Sequence, residues 1–442
     1  MENSEKFYGI EKCLSEMVKI PTVSDPSHKN QYKISEYKDF LKKTFAVLFQ
    51  KAEITEIGEA MILRLKSENK EEMPVLFIGH MDVVPAEEGG RWEHGPFSGA
   101  IDRNCVWGRG SQDMKGPHCA LLSALNILLK EEKKFRQDVF LYFSCDEETG
   151  GKTTEQAVQW FKEKKIFFKG IFDEGGTICE NFMGLIEGKA AMIGIGEKGS
   201  LVYKFTAKGE GGHAANPPKE GALFNMIELI QYMNRTKIFK KGLTNGSQLM
   251  LKKIAQLNPE KKEELLSILK YPGDYSKLYA LTGEADNLLG ATIAFTKING
   301  GTAFNVIPKE IEVIANVRVS AIQKEKEVTE ILKRIGEKFN IQCELIEESD
   351  GSDETDTNSW AYQSITSAVH KVYKDIPTVP FVLGGGTDSK HFQELTRETI
   401  RFSPMYASPE QGRGVHGENE YASIQALADA ACCYYTFIKE SL

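Results

Sequence analysis

Histidines and acidic residues cluster where apolar runs end. His80 and Asp82 follow Val75–Ile78, and Asp113 sits in Gly108-Arg109-Gly110-Ser111-Gln112-Asp113-Met114-Lys115-Gly116. Glu147 and Glu148 follow Val139–Cys145, Asp173 follows Ile171 and Phe172, and His416 stands in Val415-His416-Gly417-Glu418-Asn419. Brought into one crevice, these five carboxylates would repel each other unless some are protonated or cations balance them. Two divalent cations supply nearly the required charge. Imidazole mixed with carboxylate suits zinc, and cobalt or manganese less specifically. Two metals need a bridging ligand, and an Asp in a Gly-flanked turn can offer both its oxygens. Such a centre acidifies water and polarises a carbonyl, while a nearby carboxylate not bound to metal moves the proton. Taken singly, each residue has an ordinary explanation: a histidine packs, and a Glu-Glu pair starts a helix. Four acidic strand ends combined with Gly-rich turns are not explained that way. The chemistry expected is metal-assisted hydrolysis.

The elements that must position these residues alternate. Strands are expected at Met61–Lys66, Val75–Ile78, Val139–Cys145 and Gly170–Phe172, and helices after Gly116 and near Thr154–Lys164. This implies an α/β fold with a mostly parallel sheet and helices on both faces. Ligand sites of such sheets form beyond the carboxyl ends of the strands, where the acidic residues lie. The pattern changes after residue 196. Strands at Ser200–Ala207, Ala291–Ile298, Glu310–Ser320 and Ile341–Glu347 alternate with helices at Leu223–Met233 and Lys324–Phe339. That βαββαβ order, with a helical insertion around 236–285, predicts an inserted split-βαβ lid over 197–348. The catalytic domain is then 1–196 plus 349–442. From about 350 onward the sequence reads as helix and loop, with loops at Gly384-Gly385-Gly386 and 410–414.

The chain has 442 residues, more than one core usually organises. It carries 55 Lys+Arg against 63 Asp+Glu, a net charge of -8, which disfavours nucleic acid or an anionic membrane as partner. No apolar run is long enough to span a membrane. The N-terminus lacks a basic segment followed by an apolar one, so no secretory leader is expected. The 8 cysteines form no C-x-x-C pair and read as reduced, buried thiols of a cytoplasmic protein.

The sequence resembles the zinc aminoacylase, carboxypeptidase and desuccinylase family. That family includes acetylornithine deacetylase, succinyl-diaminopimelate desuccinylase, bacterial glutamate carboxypeptidase and carboxypeptidase S. The matching segments run in family order: Gly79-His80-Met81-Asp82, Gly108-Arg109-Gly110 through Asp113-Met114-Lys115-Gly116, Asp146-Glu147-Glu148-Thr149-Gly150 and Asp173-Glu174-Gly175-Gly176. Gly212-His213, Asn305-Val306-Ile307-Pro308, Gly385-Gly386-Thr387-Asp388 and His416 follow. The resemblance implies that His80 and Asp173 hold one zinc, Glu148 and His416 the other, and that Asp113 bridges them. It implies that Asp82 orients His80 and that Glu147 is the general base. It further implies that His213 stabilises the oxyanion, often from the lid of a partner subunit, and that Arg318 grips a substrate carboxylate. Asn305 and the backbone of Gly385, Gly386 and Thr387 are expected to add contacts, the glycines as an anion nest. From the residues alone, a surface loop is the alternative for His213, where the flanking glycine and proline favour the functional reading, and an ordinary tight turn is the lesser alternative for the glycines. Two departures from the family pattern, Ala214-Ala215 and Asn316, bear on the subfamily.

The expectation is therefore a dinuclear zinc amidohydrolase, with Co2+ or Mn2+ as substitutes. Its substrate is a small N-acyl amino acid or a short peptide with a free carboxylate, and it is a homodimer through the lid. The rival within the family is a biosynthetic deacylase of the desuccinylase or acetylornithine deacetylase type. A metal-free binding protein would have lost a ligand or Glu147, and a dinuclear phosphatase would need basic phosphate-binding residues.

Overall fold

The computed structural model describes residues 4–69, 72–87 and 89–442. It divides into two units: one of residues up to 196, 355–381 and 387–442, the other of 197–354 and 382–386.

The first unit is built on strands β1 Glu53–Ile57, β2 Ala60–Leu65, β3 Val75–His80, β4 Val139–Ser144, β5 Gly170–Glu180, β6 Lys189–Glu197, β7 Thr378–Leu383 and β8 Thr399–Ala407. They form one sheet in the order β1-β2-β4-β3-β5-β8-β6-β7. The four middle strands β4, β3, β5 and β8 are parallel. The flanking pairs β1–β2, β2–β4 and β8–β6 are antiparallel. Every residue of β3 and β4 is buried, which explains their unbroken apolar sequences. Parallel neighbours need crossovers, and helices Lys115–Lys130 and Lys152–Glu163 supply them. Helix Ile424–Ser441 packs on Lys115–Lys130 and buries most of its length. Because β4, β3 and β5 are adjacent, their carboxyl ends bring the residues after Ser144, at His80 and after Phe172 together.

Strands β7 and β8 depart from the sequence reading, which expected helix and loop from about residue 350 onward. β7 carries Pro380, and β8 carries Arg401, Ser403 and Pro404. Proline and charge interrupt the apolar signal that marks a buried strand.

The second unit has a four-stranded antiparallel sheet in the order Thr292–Gly300, Glu310–Val319, Gly199–Lys208, Ile341–Ser349. Residues 311, 313, 315, 317 and 319 are buried against helices Ala222–Arg235 and Glu325–Lys338, and the alternate residues face away. Short helices from Asn245–Leu257 to Ala285–Leu288 make the helical insertion. The unit extends beyond 348 because Ser352 N–H donates to the Glu197 carbonyl and Gly246 N–H to the Glu354 carboxylate. Among the described residues no helix is long and apolar enough to cross a membrane.

Candidate metal centre

β3 ends on His80, a fully buried imidazole. Its Nδ1 lies 3.0 Å from the carbonyl oxygen of Asp82. A carbonyl can only accept, so Nδ1 carries the hydrogen, and Nε2 is the nitrogen left to face the cluster, where a neutral ring would offer its lone pair to a metal. That Nε2 lies 3.0 Å from Asp113 Oδ1. The other Asp113 oxygen, Oδ2, lies 3.1 Å from His416 Nε2. One carboxylate therefore faces two imidazoles, one per oxygen. His416 Nε2 also lies 3.2 Å from Glu148 Oε2.

Asp113 is presented by a turn that demands glycine. Gly110 has φ +87°, and a Cβ at Gly116 would lie 2.2 Å from the Ser111 carbonyl oxygen. The peptide between Asp113 and Met114 is cis. The turn is anchored by Glu420, which the sequence reading passed over. Its carboxylate accepts from the N–H groups of Gly110, Gln112 and Asp113 at 3.0, 2.8 and 3.1 Å.

The carboxylate of Asp82 faces His80 and does further work beyond that expected. It is 3.5 Å from His80 Nδ1, farther than its own carbonyl, and its two oxygens accept from the N–H groups of Glu147 and Glu148 at 3.3 and 3.1 Å. Asp82 thus fixes the single 3-10 turn Glu147–Thr149 and aims both glutamates.

The expected ligand Asp173 is turned away from the cluster. Its Oδ1 accepts from Glu174 N–H at 2.8 Å and its Oδ2 from Ser389 N–H at 2.9 Å. The next residue takes its place: Glu174 Oε1 lies 3.4 Å from His80 Nε2. Successive residues of a strand point to opposite faces, so only one of an Asp-Glu pair can reach the centre. Among the described residues, two sets of donor atoms lie close enough to hold an ion, His80 with Asp113 and Glu148, and His80 with Glu147 and Glu174.

The donor set fits two divalent ions. Glu148 Oε1 is buried without a hydrogen-bond partner among the described residues, a costly state that a cation relieves. The protonation pattern agrees. Burial opposes charging His80, yet the carboxylates of Glu174, Asp113 and Asp82 hold its pKa well above the usual value. Hydrogen bonds to Asp113 and Glu148 push His416 up to about 10. Burial, reinforced by the Asp113 charge, pushes Glu174 up to about 8. Burial and the neighbouring carboxylates raise Glu147 well above the normal range. Without metals, protons take the place of cations in neutralising the crowd.

The remaining expected residues, apart from Thr387, belong to the second unit. His213 is exposed; its Nδ1 accepts from Ala215 N–H at 3.1 Å, and it pairs in register with Val306. Asn305 is also exposed, and its carbonyl accepts from Ala214 N–H at 3.1 Å, so the two segments form one substructure. Arg318 is half-buried; burial lowers its pKa, while Glu347 nearby opposes this. Lys198 is buried near it, brought down to about 8 by burial and by the charges of Lys241 and Arg318. Gly384, Gly385 and Gly386 are exposed and none has a left-handed φ, so the alternating geometry of an anion nest is not formed there. Thr387 is buried in the first unit, its hydroxyl 2.7 Å from that of Ser389.

Comparisons with known proteins converge. The profile of Peptidase family M20/M25/M40 matches residues 76–440. The N-fatty-acyl-amino acid synthase/hydrolase PM20D1 of Homo sapiens is 29% identical over 435 residues, covering 96% of this chain and 86% of the relative. The probable carboxypeptidase S-like 2 of Dictyostelium discoideum is 26% identical over 425 residues, covering 95% and 81%. In structure, the M20 family metallo-carboxypeptidase Sso-CP2 of Sulfolobus solfataricus superposes with a TM-score of 0.76 at 21% identity, covering 98% of this chain and 99% of that one. Human carnosine dipeptidase 1 superposes at 0.68 and 17% identity, covering 100% and 97%.

Proposed function

The chain belongs to peptidase family M20/M25/M40, a hydrolase of amide or peptide bonds, and from that premise we propose that it works through two zinc ions on a small N-acyl amino acid or short peptide with a free carboxylate. His80 and Glu174 would hold one ion, Glu148 and His416 the other, and Asp113 both. The observation that carries this is the Asp113 carboxylate, with its two oxygens 3.0 and 3.1 Å from two different imidazoles. Bound there, the ions supply Lewis acidity toward a carbonyl and lower the pKa of water.

The chain's own residues do the rest. Glu147 takes a proton from the attacking water and delivers it to the departing nitrogen. Its high pKa, set by burial, suits a group that must hold that proton. Asp82 keeps Glu147 and Glu148 aimed through their peptide N–H groups. His213 donates to the developing oxyanion, and Arg318 binds the substrate carboxylate, supported by the positive field it shares with Lys198. The names of the relatives, an N-fatty-acyl-amino acid hydrolase and a carboxypeptidase S-like protein, support both acyl-amino acids and peptides as substrate classes. Dimerisation through the second unit is supported by exposed Leu223, Phe224, Ile227, Ile298 and Phe304. Eight unpaired cysteines support a reducing, cytoplasmic setting.

A hydrolysis screen with zinc present tests the substrate reading, using dipeptides and N-acetyl, N-succinyl and N-fatty-acyl amino acids. Cleavage of at least one class is expected, with its carboxamide analogue turned over poorly. Equal turnover of acid and carboxamide contradicts the carboxylate requirement.

A further inference from the structure

Two loops carry Asp113 and His416, and neither residue lies within a helix or strand. His416 adopts φ +56°, a left-handed conformation that a non-glycine residue holds only when its surroundings enforce it. A buried ion pair joins the loops. Arg109 and Glu420 are 2% and 0% exposed, and Arg109 Nη1 donates to Glu420 Oε2. The same carboxylate accepts the three peptide N–H groups of Gly110, Gln112 and Asp113. Arg109 Nη2 reaches the other way and donates to the carbonyl of Gly417, the residue after His416, at 2.7 Å. The main chains are tied as well: Gly108 N–H donates to the Glu420 carbonyl at 2.8 Å.

We propose that Arg109 and Glu420 are positioning residues that set the separation between Asp113 and His416, and with it the affinity of the metal position that His416 shares with Glu148. This rests on the two-metal reading above. The direction of the bonds argues for it. Among the described residues, every hydrogen-bond partner of the Glu420 carboxylate lies in the turn that ends at Asp113, and the other arm of Arg109 is spent on the loop of His416. An ion pair placed only for stability has no reason to divide its bonds this way. The pair touches neither substrate nor metal in this role; it acts through the two ligands it spaces.

Zinc titration against a chromophoric chelator tests this in the wild type, Glu420→Gln, Glu420→Asp, Arg109→Lys, His416→Ala and the His416→Ala/Glu420→Gln double variant, with circular dichroism monitoring the fold. Glutamine keeps the size of Glu420 but cannot accept from all four donors. Glu420→Gln is expected to weaken one of the two zinc affinities at least tenfold and leave the other within threefold. Added to His416→Ala, it is expected to change the remaining affinity less than twofold. Glu420→Asp and Arg109→Lys keep the charges and are expected to weaken the same position, so the inference stays testable if Glu420→Gln misfolds. Equal loss at both positions, no loss at either, or a tenfold loss in the His416→Ala background overturns it. A folded wild type that binds a single zinc overturns the two-metal reading and the inference with it.

Discussion

Glu174→Gln and Asp173→Asn, neighbours in one motif, are expected to push the metal-free protein in opposite directions. Glu174 has its pKa raised from 4.5 to about 8 by burial and the Asp113 charge. Its folded-state pKa lies above the unfolded one, so the folded protein binds the extra proton between those values. Stability is therefore lost as pH rises through that window. At pH 7 the penalty is about 2.5 pH units at 1.36 kcal/mol each, or about 3 kcal/mol. Glutamine carries no charge, so Glu174→Gln should stabilise the chelator-treated protein by up to about 3 kcal/mol at pH 7, while weakening zinc binding at the His80 position. Asp173 accepts two peptide N–H bonds at 2.8 and 2.9 Å. Asparagine can satisfy only one of them. Even with some relief from desolvation, Asp173→Asn should cost about 1–3 kcal/mol and leave zinc stoichiometry intact. Urea unfolding at pH 7 with and without chelator, together with metal analysis of the dialysed proteins, measures both effects. If Asp173→Asn loses a zinc equivalent while Glu174→Gln keeps two, the reasoning about which carboxylate faces the centre is refuted.

Three other outcomes follow from the geometry. Glu147→Gln should retain its zinc and lose about 10²–10⁴-fold in turnover; a metal-replete variant with undiminished turnover rules out the proton-transfer role. Arg318→Ala should raise KM for carboxylate substrates about tenfold or more with kcat little changed, and equal KM in variant and wild type contradicts carboxylate binding. His118, fully buried beside Tyr37 and Phe143, has its pKa brought down to about 3 by burial and by the charges of His80 and Lys115. The unfolded chain binds that proton first, near 6.5, so stability should fall as pH drops from about 6.5 toward 3, by up to about 1.4 kcal/mol per unit. His118→Phe should flatten that slope in urea unfolding; an unchanged slope assigns it elsewhere.

Much of this was legible in the residues because buried parallel strands announce themselves. Val75–Ile78 and Val139–Cys145 are unbroken apolar runs, and the groups following them had to emerge at one sheet edge. Period-two burial likewise marked Glu310–Val319 as a half-buried strand of the inserted layer. What was not legible is which of two adjacent carboxylates points inward. Asp173 and Glu174 share a motif, and only the register of β5 decides between them. The second role of Asp82, aiming the two glutamates, was hidden because it works through peptide N–H groups, which no side-chain pattern encodes. Glu420 was missed for the same reason, although it stands only four residues past His416. The last strands were masked by Pro380, Arg401 and Pro404, which interrupt their apolar runs.

The most direct test of the dinuclear reading is to strip the protein with chelator and return zinc in measured equivalents while following hydrolysis of a cleavable N-acyl amino acid or dipeptide. The account predicts no hydrolysis without metal and full activity only as two equivalents per chain are bound. Undiminished hydrolysis by the stripped enzyme, or saturation of both binding and activity at a single equivalent, would contradict it.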